Sequence, residues 1–250
     1  TTLCSRYSTV LFRDINTGSG NGYFEHFFGQ NNVPTRSLIA VGNTLFMAAN
    51  DGTNGFELWK SDGTASGTVM VKDINTGSGD GIDFDSGPSM TAAGTTLYFS
   101  ANDGTNGGEL WKSDGTASGT VMVKDINNGS GSSYPFQFTV IGNTVYFRAY
   151  DGTNGYELWK SDGTASGTVM VKDINNGSGS SSADKLTAVG NTLYFQANDG
   201  TNGYELWKSD GTANGTMMVK DINNGSGNSV PSHLTAFGNT LYFRANDGTN

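Results

Sequence analysis

The chain has 250 residues, a formal net charge of −9 from 14 basic and 23 acidic residues, and 37 glycines, about twice the usual share. Its longest apolar run, Leu45–Ala49, is far too short for a membrane-spanning helix, and an acidic chain without a Lys/Arg-rich tract repels nucleic acid. After Gly18, no stretch longer than ten residues lacks both glycine and proline, so ordinary helices are disfavoured and the sequence predicts an all-β protein.

The N-terminal segment carries the one cysteine of the chain, Cys4, which is either free or paired with another chain. The sequence as given does not begin with methionine and contains no signal peptide, so we expect a processed or trimmed product. The first predicted strand, at residues 10–15, matches the last strand of a unit that recurs along the chain.

An aromatic segment follows this strand. The connection from Ile15 to Gly42 spans 27 positions, against 16 in each of the last three equivalent connections. It contains Tyr23, Phe24, His26, Phe27 and Phe28. Exposed aromatic side chains mark recognition sites, so these five residues are candidates for a ligand or partner interface. Alternatively, the segment plugs a central channel or covers an incomplete unit.

A repeat dominates the rest of the chain. The tripeptide Glu-Leu-Trp occurs four times, at spacings of 52, 48 and 48 residues. Turn sequences divide one unit into four short segments at 186–189, 192–197, 204–208 and 216–222. Four antiparallel strands in a repeat of about 40–50 residues are typical of a β-propeller blade. A β-solenoid is the alternative, although its coils are usually much shorter.

The second strand of each unit has apolar residues on both faces. Leu193 and Phe195 point to one face and Tyr194 to the other, which predicts a sheet packed between two neighbours. We therefore predict one propeller domain over residues 1–250, with blades at 37–74, 88–126, 137–174 and 185–222 and a partial blade at 233–250. If the strand at 10–15 completes the partial blade as its outer strand, the ring has five blades and no open edge. A longer ring with more repeats in a parent protein is the alternative.

The repeated motif also supports a family resemblance. Residues 57–68 have the sequence Glu-Leu-Trp-Lys-Ser-Asp-Gly-Thr-Ala-Ser-Gly-Thr, followed shortly by Val-Lys-Asp-Ile-Asn, and this pattern resembles the ELWxxDGT repeat family. All four complete copies match, and the resemblance covers about residues 10–250. That family occurs mainly in predicted secreted or surface proteins of bacteria. The resemblance implies a propeller-like extracellular module and brings no catalytic residues with it.

Most charged residues belong to the repeat. Eighteen of the 23 acidic residues and nine of the 14 basic residues recur from unit to unit, and they account for the whole net charge. Because a catalytic group acts once per site, we predict structural roles for them: the aspartates cap their own turns, and each motif glutamate pairs with a lysine across strands. A small-ligand pocket repeated in every blade is the alternative. Neither His26 nor His233 has an identifiable serine or cysteine partner, so we predict no catalytic residues and no enzyme.

The connection between the first two units is acidic. Asp80, Asp83 and Asp85 occupy a stretch of six residues in a glycine-rich loop, and Ca²⁺ prefers oxygen ligands. They form a candidate calcium site, although the spacing does not match an EF-hand. We otherwise expect no cofactor.

These observations predict a non-catalytic, secreted or cell-surface repeat module that acts as a structural or adhesive scaffold. Its expected partners are other copies of itself, surface proteins or glycans. A glycan-binding, lectin-like propeller is the alternative, and a propeller hydrolase is a third hypothesis.

Overall fold

The structure, a computed structural model, describes residue 15 and residues 38–82 and 90–249. These residues form an all-β fold of repeated four-stranded antiparallel sheets, as the sequence predicts. Four sheets have four strands each in chain order, and a two-stranded sheet follows them. No helix in the described part of the chain is long and apolar enough to cross a bilayer.

The strands have the following bounds. The first sheet contains β1 (Leu38–Val41), β2 (Thr44–Asn50), β3 (Phe56–Ser61) and β4 (Val69–Lys72). The second contains β5 (Met90–Ala93), β6 (Thr96–Asn102), β7 (Gly108–Ser113) and β8 (Val121–Lys124). The third contains β9 (Phe136–Ile141), β10 (Thr144–Tyr150), β11 (Tyr156–Ser161) and β12 (Val169–Lys172). The fourth contains β13 (Asp184–Val189), β14 (Thr192–Asn198), β15 (Tyr204–Ser209) and β16 (Met217–Lys220). The last contains β17 (Ser232–Phe237) and β18 (Thr240–Arg244).

The hairpin turns follow from the local sequence. Gly142 and Asn143 join β9 to β10, and Gly142 has a φ of 60°, which glycine adopts without a Cβ penalty. In the next loop, the Asp151 carboxylate accepts hydrogen bonds from the backbone N–H groups of Thr153 and Asn154. The aspartate therefore caps its own turn, as predicted.

The sheets pack face to face in chain order. Trp111 of the second sheet lies in one apolar cluster with Leu58 and Val71 of the first, and the later interfaces repeat this arrangement. Phe99, Phe147 and Phe195, at the same repeat position, are fully buried. On the opposite face, Tyr98 and Tyr146 are buried and Tyr194 is half-buried. The predicted burial of both faces of the second strand is thus confirmed in the second and third sheets, and each interface excludes water from several large side chains.

The two-stranded sheet differs in exposure. Tyr242 on β18 is 59% exposed, whereas Tyr146, at the same position in the third sheet, is 6% exposed. Phe237 is 76% exposed. Apart from Ile15, the predicted strand at 10–15 lies outside the described residues. The five-bladed ring and its composite closing blade therefore stay predictions.

Candidate functional site

The motif glutamates hold the connections between sheets. Glu109 is fully buried on β7, where it accepts hydrogen bonds from the backbone N–H groups of Ile126 and Asn127. It also accepts two from Ser133, one from the backbone N–H and one from the hydroxyl. The carboxylate thus fixes both ends of the connection that leads from β8 to β9.

Burial sets the acidity of these carboxyls. Desolvation raises the pKa of Glu57, Glu109 and Glu157 to about 7, although hydrogen bonds from the backbone favour the charged form. A raised carboxyl pKa is often a sign of a catalytic acid. Here the same environment recurs in successive sheets and the carboxyl oxygens contact backbone donors, so the shift belongs to a structural group.

The predicted pairing of motif glutamate with lysine is wrong. The ammonium group of Lys72 instead donates to the backbone carbonyl of Thr120 at 2.9 Å and lies 5.6 Å from the centre of the Trp111 ring. Lys60 donates to the carbonyl of Gly115. Both acceptors belong to the next sheet. The backbone donors satisfy the buried glutamate, which leaves the lysines free to join consecutive sheets.

The repeated aspartates of the motif loops are also structural. The side-chain and backbone hydrogen bonds of Thr64 hold the pKa of Asp62 below its ordinary value, and Asp114, Asp162 and Asp210 repeat the arrangement. Their oxygens accept bonds within their own turn. The structure therefore assigns a role to these residues without invoking a ligand.

The predicted calcium site is only partly described. Asp80 Oδ1 accepts a hydrogen bond from the backbone N–H of Phe56 at 2.8 Å. In the following sheets, the residue at the position of Phe56 donates its backbone N–H to a side-chain oxygen of Ser132, Ser180 or Asn228. Asp80 is thus a repeat-position acceptor, which explains its presence without a metal. Asp83 and Asp85 lie outside the described residues. Among residues 38–82 and 90–249, no group of three potential metal ligands converges.

The aromatic candidates are not placed. Tyr23, Phe24, His26, Phe27 and Phe28 lie outside the described residues, as does Cys4. Their predicted roles in recognition and assembly stay predictions.

The polar residues that do not follow the repeat converge elsewhere. Of the five basic residues outside the repeat, three are described: Arg148, Lys185 and Arg244. Lys185 lies on the first strand of its sheet, while Arg148 and Arg244 occupy the same position on the second strand of theirs. His233 lies on β17 at the position that Lys185 has on β13. The described basic residues outside the repeat therefore lie on the first two strands of the last three sheets.

The backbone is unusual at this place. Gln137, Lys185 and His233 occupy equivalent positions on β9, β13 and β17, with φ of 62°, 56° and 55°. A register shift in the pairing with the second strand surrounds each of them. A side chain other than glycine in this left-handed region costs about 1–3 kcal/mol. Among the described residues, all other left-handed positions are glycines, except Tyr134, Ser182 and Val230 three residues earlier.

These bulges border an open cavity of about 630 Å³, which we call the first-strand cavity. Its described lining comprises Gln137, Phe138, Thr139, Lys185, Leu186, Thr187, Ser232, His233 and Leu234. Thr139 Oγ1 donates to the carbonyl of Leu186 at 2.9 Å and joins β9 to β13, and β17 contacts β13 on the other side. Bulges change the direction of side chains. Here each of the three sheets contributes a different polar side chain to the lining of the cavity.

Among the described residues, the hydrogen-bond acceptors of the Lys185 ammonium group carry no charge. Its ammonium group donates to Gln196 Oε1 at 2.9 Å and to the carbonyl of Pro231 at 3.3 Å, and both acceptors are uncharged. The adjacent Asp184 carboxylate accepts from the backbone N–H of Lys185. Two uncharged acceptors therefore take up at most two of the three N–H donors of this ammonium group.

Arg148 packs among aromatic side chains beside the cavity. Its guanidinium lies 3.8 Å from the centre of the Phe136 ring and 5.2 Å from that of Tyr156. Burial lowers the pKa of Arg148, and the negative charge of Asp184 opposes the shift. The Nε atom is buried and has no hydrogen-bond partner among the described residues. Arg148 therefore stacks on Phe136, its strand partner and the residue before the bulge at Gln137.

Comparison with known proteins adds little. No family model matches the chain, and no curated protein matches it. The computationally designed protein Ika8 is similar over 85% of this chain and 55% of its own, with 16% identity and a TM-score of 0.44. A puromycin hydrolase S511A mutant complexed with PGG is similar over 78% of this chain and 30% of its own, with 14% identity and a TM-score of 0.45. The chain thus spans about half of the first and a third of the second, and neither similarity carries a functional argument.

Sequence reasoning missed the first-strand cavity. His233 and Lys185 were available as departures from the repeat, and so was Gln137. The signal was a position occupied by Gln, Lys or His in different units, followed each time by an apolar residue and then by threonine. The bulge and the left-handed backbone that direct these side chains have no marker in the sequence, because neither glycine nor asparagine occurs there.

Proposed function

We propose that this chain is a non-catalytic scaffold of the β-propeller type, in which the repeat holds the sheets together and the first-strand cavity binds a ligand. One observation carries the proposal. Repeated side chains such as Glu109, Lys72 and Asp114 form hydrogen bonds with backbone groups of their own or the next sheet. The non-repeat polar residues Gln137, Lys185 and His233 line one cavity. When the repeated polar groups have structural roles, the positions that differ between units are the candidates for function.

The propeller geometry supports this division of roles. In a propeller, the first strands of successive blades surround a common channel, where ligands bind. The contacts of β9 with β13 and of β13 with β17 place the changing residues on neighbouring first strands. The resemblance to the ELWxxDGT repeats supports a secreted or cell-surface location, which is part of the proposal.

Assembly is part of the proposal. Phe237 and Tyr242 expose on the last sheet an apolar surface of the kind that the next sheet covers in earlier units. In a closed five-bladed ring the first sheet of the same chain would cover this face. We propose instead that a second copy covers it, because it continues the packing seen between the sheets. Sedimentation of the wild type and of Tyr242→Ser at increasing concentration tests it: association that weakens in the variant supports the proposal, and a strict monomer contradicts it.

A panel experiment tests the binding function. We expect saccharides or organic acids to raise the melting temperature, with the response lost when Gln137, Lys185 and His233 are all changed to serine. The same panel, with ester and glycoside substrates added, tests the hydrolase alternative. Turnover above background would overturn the non-catalytic function, and a response that the triple variant keeps would overturn the assignment of the cavity.

A further inference from the structure

We propose that the first-strand cavity binds an acidic sugar, a small polyhydroxylated molecule whose carboxylate lies between Lys185 and His233. The inference rests on the proposed non-catalytic binding function and names the chemical class of its ligand. It draws on the repeat, the charge of the cavity and its hydrogen-bonding groups.

The repeat singles out one position. Gln137, Lys185 and His233 differ, whereas the residue that follows each is apolar and the next is threonine. Each keeps a large polar side chain on a left-handed backbone, although glycine serves most other described positions of that kind. The units are otherwise almost identical. A large side chain that differs between units and occupies a strained backbone conformation therefore points to contact with a group outside the repeat.

The charge of the cavity is opposite to that of the protein. The chain carries −9 overall, yet the ionisable residues among the described lining are Lys185 and His233. The nearest carboxylate in sequence, Asp184, accepts from the backbone of Lys185, and its charge acts on Arg148. An anion is therefore the complement of this cavity, and a carboxylate accepts hydrogen bonds from an ammonium and an imidazole together.

The remaining groups favour a ligand with hydroxyls. The Gln137 amide offers both a donor and an acceptor, and the Ser232 hydroxyl lies beside His233 at 3.3 Å from Nδ1. Small-molecule sites measure about 300–1,000 Å³, and this cavity has about 630 Å³. A simple anion would leave most of these groups unused, whereas a sugar acid engages both the charged and the neutral ones.

Calorimetric titration with glucuronate, glucose and acetate tests the inference. We expect glucuronate to bind with a Kd below about 1 mM, at least tenfold more tightly than either control. Lys185→Gln should weaken glucuronate binding at least tenfold and His233→Gln severalfold. Glutamine already occupies the same bulge at Gln137, so both variants keep a side chain that this backbone accepts.

Two further variants complete the test. Lys220→Gln removes the same charge from an exposed position on β16 and should leave the affinity unchanged. Gln137→Lys adds a cation to the cavity and should tighten glucuronate binding severalfold.

The possible failures differ. Equal binding of glucose and glucuronate, or an unchanged affinity in Lys185→Gln, would overturn the carboxylate assignment and leave a binding scaffold. Absence of glucuronate binding would overturn this inference too. Failure of the proposed function itself appears as turnover of a substrate, or as a panel response that is insensitive to changes in the cavity.

Discussion

The hydroxyl of Ser133 donates a 2.6 Å hydrogen bond to Glu109 Oε2, and both side chains are fully buried. The two residues are 24 positions apart, so this bond fixes the end of a connection onto the third strand of the preceding sheet. In the first sheet Gly81 takes the place of Ser133, and Glu57 there has no hydroxyl donor from this position.

Substitution of this glutamate should loosen the connection. Glu109→Gln replaces one acceptor oxygen by an NH₂ group that faces backbone donors, and we expect a loss of about 2–4 kcal/mol from buried unpaired groups. Hydrogen exchange at the Ile126 amide, which bonds to Glu109, measures the effect locally. Glu57→Gln is the matched control and should cost less. Equal protection of Ile126 in wild type and Glu109→Gln would contradict the structural role.

Stability should depend on pH through the same carboxyls. The folded pKa of Glu57, Glu109 and Glu157 is about 7, above the ordinary 4.5, so the folded chain binds more protons between these values. The free energy of unfolding should therefore fall as pH rises from about 4.5 to 7, by on the order of 1 kcal/mol per carboxyl. Melting curves across this range measure it, and Glu109→Gln should reduce the slope. A rise in stability over the same range would contradict the assignment.

The turn aspartates act in the opposite direction. Hydrogen bonds from Thr64 and Thr116 lower the pKa of Asp62 and Asp114 below 3.8, so the stability they contribute is present above that value and lost as pH falls through the lowered pKa. We expect maximum stability at about pH 4–5, with a decline on both sides. Replacing both aspartates by asparagine should reduce the slope of the acid side alone, because Asp162 and Asp210 keep their lowered pKa. An unchanged acid limb would refute this explanation.

The lysines that join sheets give a third prediction. Lys124 donates to the carbonyl of Thr168 and lies 5.9 Å from the Trp159 ring centre, so Lys124→Met should destabilise the chain by about 1–2 kcal/mol. Lys220 has the same repeat position but is exposed on β16, and Lys220→Met should change stability by less than about 0.5 kcal/mol. Urea unfolding of the two variants measures the difference. Equal losses would show that the contact between sheets contributes nothing.

Two glycines distinguish the cost of a left-handed backbone from the cost of steric overlap. Gly142 and Gly155 both have positive φ, but a Cβ at Gly155 would overlap the carbonyl oxygen of Gly179, whereas one at Gly142 meets no atom. Gly142→Ala should therefore cost only the left-handed penalty of about 1–2 kcal/mol, and Gly155→Ala substantially more. Comparison of their melting temperatures decides the point, and similar values would mean that the loop yields easily.

The sequence predicts the fold better than the site. Turn dipeptides such as Gly190-Asn191 and the apolar faces around Phe195 define strands and their packing, and they recur often enough to be unambiguous. The partners of Glu109 could not be predicted, because a buried acceptor of backbone N–H groups has the same sequence appearance as a cross-strand ion pair. The bulge at Lys185 is equally invisible, since it arises from the pairing of β13 with β14.

Mapping of a bound ligand by ¹H–¹⁵N NMR tests the central claim most directly, namely that repeated residues hold the sheets together and non-repeat residues bind. On titration with glucuronate, we predict shift changes at the amides of Gln137, Lys185 and His233, with those of the motif loops unchanged. Changes centred on the repeated loops around Asp114 and Asp162, in every unit alike, would contradict the account.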